Sequence, residues 1–199
     1  MKMIVTSARS RFETKAECDN ARSQQHRANS RLVREFMDPK LPFSLPRNEG
    51  DSYWVLGDLY TFKLTSADTG GALAVIETVT FPQHGPPLHT HTHEDESFYI
   101  LEGRFIFTLG EQTVEAGPGT FLHAPRGVMH GHKNVSALPA RKLAILTPAG
   151  LENFFREIGE RATQTATPPP HRPGSIAQIA EAAQKYGLRV QLPDSLPSE

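Results

Sequence analysis

A chain of 199 residues is the length of one domain with some extension, and 21 Lys+Arg against 22 Asp+Glu leave a formal charge of −1, with no global field for gripping nucleic acid or an anionic membrane. Nine histidines stand against one cysteine, Cys18, so an internal disulfide and a Cys-rich zinc module are excluded and any metal site has to be built from nitrogen and oxygen. The apolar run near the start, Met3-Ile4-Val5, is far short of a signal-peptide core, and no stretch approaches the roughly 20 apolar residues of a membrane span, so a cytoplasmic protein with no membrane partner is expected.

Residues 1–40 hold nine Lys/Arg against five acids among many Ser, Asn and Gln, with too few large apolar side chains to form a core. They are expected to be a basic extension, partly disordered or helical, with Leu32, Val33 and Phe36 on one helical face. No nucleic-acid partner is expected, because the positive excess is small and no helix-turn-helix signature accompanies it. Met37, just ahead of Asp38-Pro39-Lys40-Leu41-Pro42, offers an alternative start.

From Tyr53 the texture changes to short runs rich in β-branched and aromatic residues, punctuated by turn chemistry at the spacing of an all-β sandwich or barrel. Strands are predicted near 53–65, 71–81, 95–101, 104–109, 111–115, 119–124, 128–135 and 141–147, within a β domain over 41–148. Asp68-Thr69-Gly70-Gly71, Glu102-Gly103, Leu109-Gly110-Glu111 and Gly117-Pro118-Gly119 supply the turns, and the runs on either side of Gly103 read as a hairpin. After Pro148 the period becomes helical: Leu151, Phe154, Phe155 and Ile158 form an apolar stripe on 149–161 suited to docking on the β body. An extended linker over 162–170 leads to a second helix, with Ser175 and Gln178 as a capping box, Ile176, Ile179, Ala180 and Ala183 as its stripe and Gly187 as its stop. Residues 149–199 are therefore expected to be C-terminal helices and a tail packing on the barrel.

The chemistry concentrates in His89-Thr90-His91-Thr92-His93-Glu94-Asp95-Glu96. On a strand, residues i and i+2 project from one face, so a His-x-His pair can reach one ion, and two such pairs compete here, 89/91 and 91/93. Glu96 lies at an odd offset from His91, so a turn within Thr92 to Asp95 is required before Glu96, Phe98 and Ile100 can point to one side. Pro125-Arg126-Gly127 makes a turn that aims a further histidine, His130. Three imidazoles and a carboxylate suit one divalent transition metal ion, whether nickel, cobalt, iron, manganese, copper or zinc. His123 and His132 either line a cavity or cap it, while His26, His84 and His171 read as solvated or capping residues.

Two ordered patterns identify a resemblance. His89-x-His91-x4-Glu96-x6-Gly103 follows the first motif of the cupin superfamily, with the leading glycine displaced to Gly85, and Gly119, Pro125, Gly127, His130 and Asn134 follow its second motif throughout. Over about residues 41–192 the chain resembles single-domain, quercetin dioxygenase-like cupins. The resemblance implies a double-stranded β-helix, that is a jelly-roll barrel, with an N-terminal extension and C-terminal helices. It implies His89, His91, Glu96 and His130 as metal ligands, in preference to the 91/93 register, whose spacing to Glu96 is too short. The activity implied is a metal-dependent dioxygenase of the quercetinase type, cleaving a flavonol or related enol-bearing aromatic with O2 and with Glu96 as the base. Phe98, Ile100, Phe107, Phe121, Met129, His132 and Ile145 are expected to line the pocket, and a homodimer is expected. The alternatives are a non-catalytic metal- or small-molecule-binding cupin and a cupin isomerase.

Overall fold

A computed structural model of the protein describes residues 42–47, 49–163 and 176–191. The basic extension, the Ser175 end of the second helix's capping box, most of the linker and the tail after Gln191 lie outside the described residues. The elements run β1 (Asp51–Val55), β2 (Asp58–Leu64), α1 (Ser66–Thr69), β3 (Ala74–Thr80), β4 (His89–His91), β5 (Asp95–Glu102), β6 (Phe105–Leu109) and β7 (Gln112–Ala116). They continue through β8 (Phe121–Ala124), β9 (His130–Asn134), β10 (Ala140–Thr147), α2 (Glu152–Ile158), β11 (Glu160–Arg161), α3 (Ile176–Lys185) and β12 (Leu188–Val190). Among the described residues the strands form two antiparallel sheets, a seven-stranded one in the order β11-β1-β2-β3-β10-β5-β8 and a five-stranded one in the order β12-β4-β9-β6-β7.

The period-2 pattern decides which face is inside. In β10, Ala140, Lys142, Ala144 and Leu146 are buried and the alternate residues are not; in β5 the buried set is Glu96, Phe98 and Ile100. Phe98, Ile100, Phe105, Phe107, Leu122 and Ala144 build one core cluster between the sheets, and Phe62, Ile76, Leu146, Leu151, Phe154, Ala183 and Leu188 build another, where α2 and α3 pack. Each fully buried large apolar side chain contributes about 1.5–3 kcal/mol.

Several sequence expectations are corrected here. The predicted strand 53–65 is two strands, joined by a two-residue turn at Leu56 (φ 51°) and Gly57 (φ 88°); a leucine in the left-handed region gave no turn signal. The short helix α1 was not anticipated, although Thr65 and Asp68 form its capping box and Gly70 ends it in the left-handed region. The runs flanking Gly103 are not a hairpin: β5 pairs with β10 and β8, whereas β6 pairs with β7 and β9. Gly103 (φ +81°) is a corner between the sheets, and a Cβ there would lie 2.4 Å from the Ala140 Cβ. Phe121 and Ile145 point outward, not into the pocket. Phe121 opposes Tyr99 on the outer face and is 60% exposed, and Ile145 opposes Ser97 on that same face. Phe121→Ser is accordingly expected to change unfolding free energy by no more than about 0.5 kcal/mol in a urea titration.

Candidate metal centre

Each of four side chains is delivered by a strand. His89 and His91 leave the same face of β4, His130 opens β9 directly across from His89, and Glu96 enters from β5 in the other sheet. The turn at Thr92 to Glu94 carries the chain between sheets, which is how a carboxylate at an odd offset comes to face the histidines. The preceding loops are tied down. Gly127 N–H donates to His91 O (2.8 Å), and Arg126 donates to Asp95 through its backbone and, in a two-pronged contact, through its guanidinium (3.0 Å each). Arg126 holds the Asp95 carboxyl down at about 2. Asn134, the last residue of the second motif, is buried; its Nδ2 donates to Thr80 O and Leu138 O and its Oδ1 accepts from Ser136 N–H.

One donor atom from each of His89, His91, Glu96 and His130 lies within 4.8 Å of all the others. Glu96 Oε2 is 3.0 Å from His130 Nε2, 3.1 Å from His91 Nε2 and 3.9 Å from His89 Nε2. The far sides of the rings explain this convergence: His89 Nδ1 bonds to Pro87 O and His130 Nδ1 to Val128 O, each at 2.8 Å, and His91 Nδ1 faces the buried Glu94 carboxylate at 3.5 Å. Nδ1–H donation to a carbonyl leaves the Nε2 lone pair for the centre, an arrangement typical of metal-ligating histidines.

The electrostatics follow from burial and charge. Burial alone raises the Glu96 carboxyl, but its contacts with His130, His89 and His91 outweigh this and hold it well below the usual range. Burial lowers His91, yet Glu94 and Glu96 on its two sides lift it to about 9. Although His91 is enclosed, neither ring nitrogen makes a hydrogen bond of good geometry, nor does Glu94 Oε2. His91 Nε2, buried and without a hydrogen-bond partner, converges with the His89 and His130 nitrogens on the Glu96 oxygen, an arrangement that fits a cation, and three imidazoles with one carboxylate fit a first-row ion.

Beside the cluster lies a cavity of about 100 Å³. It is lined by His89, His91, Glu96, Phe98 and His132, by Leu188 and Val190 of β12, which pair with His91 and His89, and by Leu151, Phe154, Phe155 and Ile158 of the α2 region and Ile179 of α3. His132 is half-buried among the Phe98, Phe105 and Phe107 rings, with centroids at 5.0–5.8 Å, and burial of its ring nitrogens keeps it well below its ordinary value and neutral.

The other expected site residues sit elsewhere. Ile100 and Phe107 are in the core behind the cavity, and Met129 is half-buried with its Sδ accepting from Thr90 Oγ1 at 3.7 Å. His93 is exposed beside Gly187, outside the cluster. His123 is exposed and bonded to Ser97 Oγ, and His84 is bonded to Asp58 Oδ1 (3.2 Å). His26 and His171 lie outside the described residues. Sequence reasoning missed Glu94 and the cavity residues Tyr60, Thr78 and Lys142. The signal for Lys142 was its phase with Ala140, Ala144 and Leu146.

A family model described as a cupin domain matches residues 78–146. Among curated proteins the chain is 27% identical over 126 residues to a quercetin 2,3-dioxygenase of Bacillus subtilis, covering 63% of this chain and 37% of that enzyme. It is 33% identical over 61 residues to an uncharacterised protein of Methanocaldococcus jannaschii, covering 31% of this chain and 49% of that one. The chain therefore spans less than half the length of both relatives. Among solved structures, KdgF from Halomonas sp. superposes with a TM-score of 0.51 at 18% identity, over 57% of this chain and 99% of that one, which is a likeness of fold.

Proposed function

The chain belongs to the cupin superfamily, and from that premise we propose that it is a metal-dependent dioxygenase of the quercetinase type, opening a flavonol or related enol-bearing aromatic compound with O2. The observation that carries this reading is the convergence of three imidazole nitrogens on one Glu96 oxygen at the edge of a largely apolar cavity. The 27% identity to the Bacillus subtilis enzyme supports the choice of reaction.

His89, His91, Glu96 and His130 hold the ion, and a divalent first-row metal there supplies Lewis acidity and a template for substrate and O2. Glu96 is ionised at neutral pH and sits at the cavity wall, so it accepts the proton of the substrate enol. Phe98 on one side and Leu151 and Phe154 on the other hold a flat ring and keep water from the reacting carbons. At about 100 Å³ the cavity is below the roughly 300–1,000 Å³ of sites for drug-sized ligands, which favours the smaller members of the substrate class. The proposal includes the homodimer and the cytoplasmic setting expected from the sequence, and light scattering on purified protein tests the first.

Metal analysis of the purified protein, followed by O2-electrode measurements with quercetin and with a single-ring enol, tests the activity. Stoichiometric metal and enol-dependent O2 uptake that disappears in Glu96→Gln are expected. Protein that takes up no divalent ion overturns the enzyme reading. Bound metal without uptake on either substrate leaves the non-catalytic binding protein or the isomerase in its place.

A further inference from the structure

Lys142 is a cation in the interior of the barrel that the reading above does not use. The β10 alternation turns it inward, and its side chain is 1% exposed. Its Nζ donates to Thr78 Oγ1 (2.7 Å), directly opposite on β3, and to Thr80 Oγ1 (3.3 Å), and it lies 5.1 Å from the centroid of the Phe105 ring. Among the described residues no carboxylate lies within 4.0 Å of it. The buried carboxylate of Asp58 is engaged instead by Phe81 N–H and His84. Burial lowers the Lys142 amine to about 8, with Asp58 and Glu96 only partly opposing this from a distance, so it is predominantly an ammonium at neutral pH.

An ammonium has three donors, and two neutral hydroxyls take two of them. A buried charge without a counter-ion is costly, and an apolar residue of the same volume is the usual stabilising replacement. Here the charge sits in the wall of the cavity that Glu96, His89 and His91 also line, with Thr78 and His132 beside it. From this placement we infer that the cavity takes a small organic acid, whose carboxylate or phenolate pairs with Lys142 while its enol or phenol oxygen faces the His/Glu cluster. Lys142 is then a specificity residue, selecting anionic ligands over neutral ones of the same shape. The inference rests on the proposed function only in taking this cavity as the substrate site.

The test is calorimetric binding of 2-, 3- and 4-hydroxybenzoate and of the three matching hydroxybenzamides to the metal-loaded protein, wild type and Lys142→Met. At least one acid is expected to bind tenfold or more tightly than its amide in the wild type, with that preference lost and amide binding kept in Lys142→Met. The melting temperature of Lys142→Met without ligand is expected to equal or exceed that of the wild type, because the variant removes a buried charge. A structural lysine would give the reverse, a lower melting temperature in both Lys142→Met and the second variant Lys142→Gln, and that result overturns the inference. Equal binding of acid and amide across all three isomers also overturns it. If the acid preference is absent while quercetin is consumed, only the Lys142 assignment fails. If acids bind in a Lys142-dependent way and no enol drives O2 uptake, only the dioxygenase reading fails.

Discussion

His89→Ala is expected to weaken the binding of a divalent transition ion by at least about 100-fold, and His93→Ala to leave it within about twofold of the wild type. A 100-fold loss corresponds to about 2.7 kcal/mol, and it is a lower bound, because altering even the residues that orient a metal-binding histidine costs roughly 10–100-fold. The asymmetry follows from where the two side chains stand. His89 is on β4 across from His130, with Nδ1 bonded to Pro87 O and Nε2 3.9 Å from Glu96 Oε2. His93 is past the end of β4, exposed, with its ring beside Gly187. Titration calorimetry with one ion, at a pH above 7 so that protons compete less for the imidazoles, separates the two variants. A loss in His93→Ala with retention in His89→Ala would transfer the centre to His91, His93 and Glu96.

The centre was legible because its ligands obey short-range spacing. A His-x-His pair on a strand needs only the period of 2, and the Glu96 offset demanded a break that the chain places at Thr92 to Glu94. What lay beyond reach was the pairing of strands distant in sequence. The turn chemistry around Gly103 is local, but the partners of its flanking strands are not: Ile100 pairs with Lys142 and Phe107 with His132, in different sheets. The inward phase of β8 was equally open, since Phe121 and Leu122 are both apolar; its pairing with β5 buries Leu122 and Ala124 and turns the larger ring out. Glu94, which reads as one more acid in a polar turn, is the carboxylate facing the back of His91. Arg141 and Lys142 are adjacent basic residues, yet the two point to opposite faces. Arg141 bonds to Glu77 and Glu102, and Lys142 enters the cavity.

Removing a second buried carboxylate is expected to loosen the outer wall of the cavity. Glu152, fully enclosed at the start of α2, accepts Ser66 N–H at 2.7 Å through Oε1 and Gly150 N–H at 2.8 Å through Oε2, so it joins the cavity helix to α1, 86 residues away in sequence. Glu152→Ala leaves both backbone donors without their charged acceptor, a loss of about 2–4 kcal/mol and a fall of roughly 5–15 °C in melting temperature for a chain of this size. The pH dependence has a defined sign. Burial pushes the Glu152 carboxyl up, but the hydrogen bonds from Ser66 and from the backbone at Glu152 and Gly150 prevail and hold it below its ordinary 4.5. A carboxyl depressed in the folded state contributes stability above its unfolded value and loses that contribution as pH falls through the folded one. The stability gap between wild type and Glu152→Ala, read from urea unfolding, is therefore widest at neutral pH and narrows as the pH drops below 4.5. Leu151 and Phe154 move with this tether, whereas His89, His91, Glu96 and His130 are held by β4, β5 and β9. Metal affinity should consequently survive in Glu152→Ala while affinity for the cavity ligand falls. A parallel loss of both would show that α2 supports the metal centre as well as the wall.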